Sequence, residues 1–360
     1  MKITRIGSVE HVIQVKNSDR NYFAWPTAVR LQNGKIAVVV SGFRRRHICP
    51  FGKTVIVYSS DEGKTYTSPE PVIETVLDDR DGGVMTFGES GVIVTSFNNT
   101  TKFQRERPFA DDYDKAYLDS ITEEQEAEAL GASFRISNDC GATFGERFKS
   151  PITSPHGPIQ LKDGTIFWVG HLFAMHNEHE RNNIKAYTIN VNDGSMEFVG
   201  EIEDVYVDGE HMLSCEPYAI ELNDGSILVH IRANKNGSDP VFTLFQTISH
   251  DKGKTWSKPE QILSRAGGAP SHLFRTSKGE IICTFGYRKG PYSIKGMVSK
   301  DEGKTWSEVF DIFTEGASWD IGYPSTVELD DGTFLTVFYA KDDGSGPAII
   351  MQQRWIIENE

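Results

Sequence analysis

The stretch Ser59-Ser60-Asp61-Glu62-Gly63-Lys64-Thr65-Tyr66 follows the pattern Ser-x-Asp-x-Gly-x-Thr-aromatic, which the chain repeats three more times. The other copies span 137–144, 249–256 and 299–306. Asp and Gly favour a tight turn, the hydroxyl side chains can bond the local backbone, and the aromatic side chain can anchor the turn against its own sheet. Because a pattern that occurs four times indicates one repeated supersecondary unit, the sequence predicts a closed or stacked repeat architecture.

The chain also repeats an apolar β-hairpin whose turn ends in glycine, most often as Asn-Gly or Asp-Gly. Such dipeptides between apolar runs are the strongest short-range hairpin signals. Six hairpins recur at roughly 50- to 75-residue spacing, which is typical of propeller blades. They span 25–43, 83–97, 157–172, 217–232, 270–288 and 323–339. Each hairpin is expected to supply the two inner strands of a blade, with the repeated turn lying further out.

These two repeats predict an all-β fold, a six-bladed β-propeller of four-stranded antiparallel blades that forms a single domain over residues 1–360. Blades 1, 2, 4 and 5 carry the repeated turn, and blade 3 has a degenerate copy at 192–198. Blade 6 has none. Its outer strand is expected at 349–357, with residues 3–15 pairing alongside to close the ring, because closure removes exposed strand edges.

One polar and acidic segment, about 105–131, interrupts blade 2 between its inner hairpin and its repeated turn. Residues 119–130 have the pattern of a short capped helix. The sequence therefore predicts a short helical insertion over one face of the propeller. It is equally consistent with a solvated decoration and with a lid.

The acidic composition limits the classes of partner. The net charge of −14 and the pI of about 5.2 argue against nucleic acid or an anionic membrane as partner. A small anionic substrate remains possible, because salt screens distant surface charge over about 8–10 Å. No apolar run approaches the roughly 20 residues of a membrane span. We therefore expect a glycan or acidic-sugar substrate, with no nucleic-acid and no membrane partner.

The four cysteines and the scattered histidines show no metal-ligand spacing, so we expect no metal and no cofactor. The N-terminal residues Met1-Lys2-Ile3-Thr4-Arg5 show no apolar signal-peptide region. The expected location is the cytoplasm, or the periplasm or exterior if a signal peptide has been removed.

Propeller topology predicts which side chains meet. The innermost strands all run in the same direction, so residues before each inner strand and residues after each second strand converge on one mouth of the channel. The candidates before inner strands are Trp25, Arg80, Asp81, His156, Glu216, Asp320 and Tyr323, and those after second strands are Arg44, His47, Arg232, Tyr287 and Arg288. Because a guanidinium pairs bidentately with a carboxylate, this mouth suits a carboxylate-bearing sugar.

The four repeated turns resemble Asp-boxes, and the whole chain resembles the sialidase superfamily of BNR/Asp-box propellers. The segment 214–232 is similar to the sialidase segment in which a glutamate partners the nucleophile and an arginine binds the substrate carboxylate. The resemblance implies these roles for Glu216 and Arg232, and a further carboxylate-binding role for Arg288. It implies the role of nucleophile for Tyr323, which a neighbouring glutamate can deprotonate.

Two segments depart from the sialidase pattern. Sialidases open their first blade with Phe-Arg-Ile-Pro, whose arginine binds the carboxylate, whereas this chain has Phe23-Ala24-Trp25-Pro26. They also carry a general-acid aspartate before the first Asp-box, where residues 44–53 contain no carboxylate. The arginine could be replaced by one of Arg44 to Arg46 or by Arg80. The acid could be replaced by Asp79, Asp81 or His47.

The resulting expectation is an exo-acting glycoside hydrolase that cleaves a terminal acidic sugar, sialic acid or similar, from glycans. Its catalytic residues would be Tyr323, Glu216, Asp320 and Asp81. Its substrate-binding residues would be Arg232, Arg288, Arg44, Arg80, His47, His156, Trp25 and Tyr287. Each of these side chains also has a structural interpretation, as an ion pair, an aromatic wall or a turn residue.

Two other functions fit the same residues. The missing arginine and the histidines near the mouth favour a uronate-specific hydrolase or lyase. The missing general acid favours a non-catalytic glycan-binding propeller. Fold alone does not decide among them, because propellers have many functions.

Overall fold

The computed structural model describes residues 2–172, 184–235, 241–264, 267–268 and 270–358. Within these ranges, six antiparallel sheets follow one another as the blades of a propeller, which confirms the predicted fold class. The first strand, β1 (Lys2–Ile13), belongs to blade 6. Blade 1 contains β2 (Tyr22–Arg30), β3 (Ile36–Arg44), β4 (Lys53–Ser59) and β5 (Glu70–Ile73). Blade 2 contains β6 (Val84–Phe87), β7 (Gly91–Ser96), β8 (Ala132–Ser137) and β9 (Arg147–Ser150).

Blade 3 contains β10 (Ile152–Thr153), β11 (Ile159–Gln160), β12 (Ile166–Leu172), β13 (Ile184–Ile189) and β14 (Met196–Ile202). A short ribbon of β15 (Tyr206–Val207) and β16 (Glu210–His211) follows. Blade 4 contains β17 (Leu213–Glu221), β18 (Ile227–Lys235), β19 (Val241–Ser249) and β20 (Glu260–Gln261). Blade 5 contains β21 (Ser271–Arg275), β22 (Ile281–Tyr287), β23 (Tyr292–Ser299) and β24 (Phe310–Gly316). Blade 6 contains β25 (Gly322–Glu328), β26 (Phe334–Lys341) and β27 (Ala348–Glu358) together with β1.

The ring closes as predicted, by pairing of the two ends of the chain. β1 runs antiparallel to β27, with Lys2 opposite Glu358 and Ile13 opposite Ile350. Blade 6 therefore takes its outermost strand from the N-terminus, and this closure removes the free edge that an open array would expose.

The hydrophobic core is divided into clusters that lie between neighbouring blades. Alternate residues of a strand point to opposite faces of its sheet. On β3, Val38 and Val40 accordingly pack against blade 6, while Ala37 and Val39 pack against blade 2. The same division recurs around the described part of the ring, so each blade is held by apolar contacts on both faces.

The repeated turns share one hydrogen-bonding scheme. In the first copy, Asp61 Oδ1 accepts from the Thr65 backbone N–H at 2.9 Å, and Asp61 Oδ2 accepts from the Thr65 hydroxyl at 2.6 Å. The Gly63 N–H donates to Ser59 Oγ at 2.9 Å. Glu62 and Gly63 both adopt left-handed conformations, with φ of 63° and 82°. The other three copies repeat these bonds, which explains why Asp and Gly recur at these positions.

These Asp-boxes connect neighbouring blades. A side chain at Gly63 would meet Leu335 of blade 6, and one at Gly303 would meet Leu228 of blade 4. The expectation that the motif's aromatic residue anchors the turn against its own sheet is wrong for Tyr66, whose hydroxyl donates to Gln352 in blade 6 at 2.7 Å. The turn of each of these two boxes packs closely on the preceding blade, and this close approach requires glycine at that position.

The degenerate copy in blade 3 occupies the equivalent turn, between β13 and β14. Asp193 Oδ1 accepts from the Ser195 backbone N–H at 2.9 Å, and Gly194 has φ 70°. Gly194 packs on Phe148 of blade 2. The inner strand of blade 3 is split into β10 and β11, both paired with β12, where the segment 154–158 leaves the sheet.

The insertion in blade 2 contains three short helices, α1 (Thr101–Arg105), α2 (Asp112–Asp119) and α3 (Glu123–Ala129). The predicted helix corresponds to α3, which Thr122 and Gln125 cap reciprocally. α1 and α2 were not predicted, because their few apolar residues show no clear helical period. Arg45 and Arg46 pair with Asp114 of α2, so the insertion is tied to blade 1 by charge.

Candidate functional site

Four residues at one mouth of the channel adopt a left-handed backbone conformation that is rare for residues other than glycine. They are Trp25, Asp81, Glu216 and Tyr323, with φ of 57°, 45°, 49° and 50°. Each lies near the start of an inner strand and precedes a proline or a glycine. In blades 1, 4 and 6 the strand pairing shifts register at this point, as at a β-bulge. Such backbone strain is concentrated at functional sites, where it re-aims side chains.

All four side chains line one cleft of about 530 Å³, which is within the size range of small-molecule sites. The other predicted residues in its wall are His47, Arg80, Arg232 and Arg288. The cleft is also lined by Ile48, Phe97, Asn99, Phe103, Arg107, Thr153, Ser154, Pro155, His171, Leu213, Cys215 and Asn234. Eight of the twelve predicted site residues therefore meet in one place.

Tyr323, Glu216 and Arg232 form a connected group in the cleft. The Tyr323 hydroxyl donates to Glu216 Oε1 at 2.5 Å, and Arg232 Nη1 donates to Glu216 Oε2 at 2.7 Å. Arg232 Nη1 also lies 3.4 Å from the Tyr323 hydroxyl. Glu216 and Arg232 lie on neighbouring strands of blade 4, while Tyr323 comes from blade 6. Only the closed ring brings the phenol to the carboxylate.

The environment keeps this phenol neutral and this carboxylate charged. Burial by itself raises the pKa of Glu216, but the charge of Arg232 and the bonds from Tyr323 and Arg232 outweigh it and lower that pKa. Burial and the adjacent Glu216 charge raise the pKa of Tyr323 well above its ordinary value. A protonated phenol therefore faces an ionised glutamate, which is the arrangement that a base-activated tyrosine needs.

Three arginines from different blades surround this pair. Arg288 donates to the Ile321 carbonyl at 2.7 Å and to the Tyr339 hydroxyl at 2.6 Å, and its guanidinium carbon lies 5.5 Å from the centre of the Tyr323 ring. Arg232 lies on the other side, and the third arginine is Arg80.

Arg80 is only weakly paired with protein carboxylates. Its guanidinium carbon lies 4.5 Å from the centre of the Trp25 ring. The nearest carboxylate is Asp78 at 3.8 Å, and Asp78 already accepts from Arg44 and Gln104. The Arg80 Nε atom is buried and has no hydrogen-bond partner among the described residues. Its charge is therefore available to an anion in the cleft.

The position of the missing first-blade arginine is occupied by Ala24, which is fully buried. The neighbouring Trp25 forms the floor of the cleft. Its ring centre lies 5.0 Å from that of His47 and 6.4 Å from that of Tyr323. Arg80 approaches the same ring, so of the substitutes named from the sequence it is the one in the cleft wall.

His47 belongs to a second polar group beside Trp25. Its Nδ1 atom lies 2.9 Å from Asp320 Oδ1, and the Tyr22 hydroxyl donates to Asp320 Oδ2 at 2.9 Å. Burial lowers the pKa of His47, although Asp320 acts in the opposite direction. Burial by itself raises the pKa of Asp320. The bonds from His47 and Tyr22 lower it by more, so the net change is a decrease. Asp320 thus holds His47 by an ionic hydrogen bond behind the cleft wall.

Asp81 faces the cleft from blade 2, close to the nucleophile pair. Its backbone N–H donates to Ser41 Oγ at 2.8 Å, while its Oδ1 atom is buried without a partner among the described residues. Burial raises the pKa of Asp81, the charge of Arg80 lowers it, and the charge of Glu216 raises it again, which gives a pKa of about 6. Asp79, another candidate acid, is bonded instead to Thr75 and Asn98 and does not line the cleft.

Four predicted site residues lie outside the cleft wall. Arg44 is fully buried behind Trp25, where it pairs with Asp78. His156 is buried in the channel with its Nδ1 atom 3.0 Å from the Thr27 hydroxyl, and its ring packs on His272. Tyr287 lies at the end of β22 beside Lys295. Asp320 lies behind His47. Strand position placed these residues at the correct mouth but did not determine which of them reach its surface.

The insertion contributes wall residues that the sequence did not identify. Phe103 of α1 and Arg107 just after it line the cleft, and the Arg107 guanidinium carbon lies 4.1 Å from the centre of the Phe103 ring. Gln104 of the same helix donates to Asp78 at 2.7 Å. The insertion is therefore part of the cleft wall. The sequence signal that could have identified them is the spacing of Phe103 and Arg107, an aromatic residue and an arginine four positions apart.

Among the described residues, no group of three or more His, Cys, Asp or Glu side chains is placed to hold a metal ion. In the same ranges, no helix has both the length and the apolar character needed to cross a membrane.

Several solved structures share this fold at low sequence identity. A protein of unknown function from Dyadobacter fermentans is 19% identical with a TM-score of 0.77, and the alignment covers 99% of each chain. The intramolecular trans-sialidase from Ruminococcus gnavus is 13% identical with a TM-score of 0.66, covering 96% of this chain and 97% of that one. The α-L-arabinofuranosidase Arb93A from Fusarium graminearum is 12% identical with a TM-score of 0.62, covering 98% of each chain.

At such identities these likenesses show the fold alone. No curated protein matches the sequence significantly. The profile of the BNR repeat-like domain matches residues 115–336, which is more than half of the chain. Together with the four Asp-boxes and the six closed blades, this match shows that the protein belongs to the BNR repeat-like family and has the sialidase-like propeller fold.

Proposed function

We propose that this protein is an exo-acting glycoside hydrolase that removes a terminal acidic sugar, sialic acid or similar, from glycans. The observation that carries the proposal is the 2.5 Å contact between the Tyr323 hydroxyl and Glu216 in a cleft that also holds four arginines. The trans-sialidase with the same fold supports it by analogy. The arabinofuranosidase with this fold limits the analogy to glycoside chemistry in general.

The proposed reaction uses Tyr323 as nucleophile and Glu216 as its base. As the Tyr323 oxygen attacks the anomeric carbon, its proton passes to Glu216, which Arg232 keeps ionised beforehand. A neutral phenol approaches an anionic sugar without the repulsion that a carboxylate nucleophile would meet. Attack by an enzyme group followed by water gives net retention at the anomeric carbon.

Three of the four cleft arginines would bind the substrate carboxylate. Arg80, Arg232 and Arg288 come from blades 2, 4 and 5, so the carboxylate would be held from three directions. Charge-assisted bonds of this type contribute about 1.5–3 kcal/mol each. In this proposal Arg80 takes the place of the absent first-blade arginine.

The test is hydrolysis of 4-methylumbelliferyl N-acetylneuraminic acid by the parent protein and by Tyr323→Phe. We expect fluorophore release by the parent and a loss on the order of 10⁴-fold or more in the variant, as for other nucleophile deletions. Binding of N-acetylneuraminic acid, measured by fluorescence of Trp25 in the cleft, should persist. Tyr58→Phe is the control, because the Tyr58 hydroxyl bonds the Gly141 carbonyl away from the cleft.

Activity of Tyr323→Phe within about tenfold of the parent would contradict the nucleophile assignment. No release by the parent would exclude N-acetylneuraminic acid as the sugar. Aryl glycosides of uronic acids and of neutral sugars would then be the next substrates.

A second candidate function is β-elimination on a uronate. It is favoured by one observation, a histidine in the cleft wall whose pKa burial lowers and whose Nδ1 atom is bonded to Asp320. A neutral His47 could remove the proton next to a carboxylate that the arginines neutralise. Acidic polysaccharides would then yield an unsaturated uronate that absorbs ultraviolet light. Reducing ends without such absorbance would count against elimination and for hydrolysis.

A further inference from the structure

An exposed tryptophan lies beside the half-buried His47 at one side of the cleft. Trp319 is 55% exposed, whereas Trp25 on the cleft floor is 2% exposed. The rings of Trp319 and His47 lie 5.6 Å apart, with planes inclined at 49°. An exposed indole next to a polar cleft offers a flat apolar face on which a sugar ring can stack.

His47 is held so that one of its ring nitrogens is committed and the other is free. Nδ1 lies 2.9 Å from both Asp320 Oδ1 and the Tyr22 hydroxyl. No residue in the described ranges bonds Nε2, although the ring lines the cleft. An ionised carboxylate on one nitrogen fixes the ring orientation and stabilises the protonated imidazole, which leaves the other nitrogen to transfer a proton.

Trp25 lies beside both this group and the nucleophile. The Trp25 ring centre lies 5.0 Å from that of His47 and 6.4 Å from that of Tyr323, and both rings are steeply inclined to it. A sugar placed over Trp25 would present its anomeric carbon to Tyr323 and its leaving oxygen to His47. Attack and protonation from opposite sides are what displacement at the anomeric carbon requires.

Asp81 does not have this position. The charge of Glu216 acts on Asp81, and the charge of Asp81 acts on Tyr323, so Asp81 lies near the nucleophile pair. The charges that act on His47 are those of Asp320, Arg80 and Arg288.

We propose that His47 and Trp319 form the leaving-group subsite of the cleft. Trp319 stacks on the sugar that leaves, and His47 Nε2 exchanges a proton with the glycosidic oxygen. Asp320 and Tyr22 act as positioning residues. The inference rests on the proposed function, which it deepens by assigning the general acid and a subsite for the leaving sugar.

The proton transfers balance over two steps. In the first, the Tyr323 oxygen bonds to the anomeric carbon and its proton passes to Glu216, while the carbon–oxygen bond to the leaving sugar breaks and that oxygen takes a proton from the His47 imidazolium. In the second, His47 takes a proton from water, the water oxygen bonds to the anomeric carbon, and the departing Tyr323 oxygen regains its proton from Glu216. Tyr323, Glu216 and His47 all return to their starting protonation states.

The protonation of His47 depends on the charges around it. Asp320 and an anionic substrate favour the imidazolium, while burial, Arg80 and Arg288 oppose it, and Lys341 lies 3.9 Å from Asp320. We therefore expect kcat/KM to fall as the pH rises through the pKa of His47. That descending limb should disappear in His47→Gln.

The decisive experiment compares leaving groups. Substrates are 4-methylumbelliferyl N-acetylneuraminic acid, whose leaving group needs little protonation, and 3′-sialyllactose, whose sugar hydroxyl needs it fully. For His47→Gln we expect a loss in kcat of about 10²- to 10⁴-fold on 3′-sialyllactose and less than about tenfold on the aryl substrate. The control is His11→Gln, because His11 also bonds an aspartate, Asp342, but outside the cleft.

Two results would overturn the assignment of His47. One is an equal loss on both substrates, which a merely structural role would give. The other is the same dependence on leaving group in Asp81→Asn and not in His47→Gln, which would give the proton to Asp81.

Trp319 is tested through binding of the leaving sugar. For Trp319→Ala we expect KM for 3′-sialyllactose to rise about 3- to 10-fold with kcat nearly unchanged, and Trp319→Phe to restore most of the loss. KM for the methyl ketoside of N-acetylneuraminic acid, which has no leaving sugar ring, should stay within about twofold. Equal changes on both substrates would refute the subsite.

Failure of this inference is distinguishable from failure of the proposed function. If the parent protein hydrolyses neither substrate, the proposed sialoside hydrolysis is wrong. If the parent hydrolyses both and Tyr323→Phe neither, but His47→Gln shows no dependence on leaving group, only the leaving-group subsite is wrong.

Discussion

Replacement of Arg80 by methionine tests the rebuilt carboxylate site directly. The Arg80 guanidinium carbon lies 4.5 Å from the centre of the Trp25 ring. The nearest protein carboxylate, that of Asp78, is 3.8 Å from Arg80 Nη1 and already bonded to Arg44. If Arg80 binds the substrate carboxylate, its removal deletes a charge-assisted bond and leaves protein pairing almost intact. Methionine keeps most of the apolar contact with Trp25.

The expected loss follows from the strength of such a bond. A hydrogen bond to a charged group contributes about 1.5–3 kcal/mol. Each 1.36 kcal/mol of lost transition-state stabilisation is tenfold in rate, so kcat/KM should fall by about 10- to 150-fold. Arg80→Lys should lose less, because it keeps the charge but not the planar fork.

The assay compares 4-methylumbelliferyl N-acetylneuraminic acid with its carboxyl methyl ester, which is neutral. Arg80→Met should lower kcat/KM for the acid by the factor above and for the ester by less than about threefold. Arg20→Met is a matched control, because Arg20 also stacks on an aromatic ring, 4.1 Å from the centre of Phe51, outside the cleft. Thermal melting establishes that each variant is folded.

Equal losses for acid and ester would contradict a carboxylate-binding role for Arg80, because the effect would then come from altered packing on Trp25. A loss in Arg20→Met as large as that in Arg80→Met would refute it as well.

Three further predictions concern the framework of the site. Arg232→Met leaves the largely buried Glu216 without its bonded counter-charge, so the free energy of unfolding measured by calorimetry should fall by about 3–5 kcal/mol. Adding Glu216→Gln should recover most of that loss, and no recovery would contradict the ionic explanation. Gly83→Ala would place a Cβ 2.4 Å from the Gly157 backbone nitrogen, so the free energy of unfolding measured with denaturant should fall by about 1–3 kcal/mol or more. The control Gly145→Ala, whose Cβ would lie 3.4 Å from the Ile136 carbonyl oxygen, should change that free energy little. Similar effects of the two substitutions would contradict the close approach of blades 2 and 3. Bonds from Thr65, Thr143 and Thr255 lower the pKa of Asp61, Asp139 and Asp251 to about 2. Because the unfolded pKa is about 4, the stability that these groups contribute is present above pH 4 and is lost as the pH falls through 2; the melting temperature should therefore decline across this window, less steeply in the triple Asp→Asn variant, and identical slopes would contradict the assignment.

The fold could be predicted from the sequence because each of its devices is local. The Asp-box needs four side chains within eight residues, and the hairpin needs a turn dipeptide between apolar runs. The packing of the Asp-box aromatics Tyr66 and Trp306 was misjudged, because each bonds the preceding blade, which the local pattern does not describe.

The site was predicted less completely, since its residues come from all six blades and an insertion. The sequence correctly indicated that Glu216 and Tyr323 lie at one mouth. It did not show that Arg44 is buried while Arg80 lines the cleft, because both follow the same pattern of strand ends. Nor did it show that Trp25, Asp81, Glu216 and Tyr323 share a left-handed conformation, although three of them precede a proline.

The residue pattern alone predicts the number of blades, the closure by the N-terminal strand and the mouth at which the polar residues gather, because period and turn chemistry act over a few residues at a time. The tertiary fold is needed to show which carboxylate meets which phenol, and which of the candidate arginines and histidines line the cleft. Those contacts join residues as far apart as Glu216 and Tyr323, and their free energies depend on burial and on distances of a few ångströms. The closed ring fixes both quantities, whereas the order of residues along the chain does not.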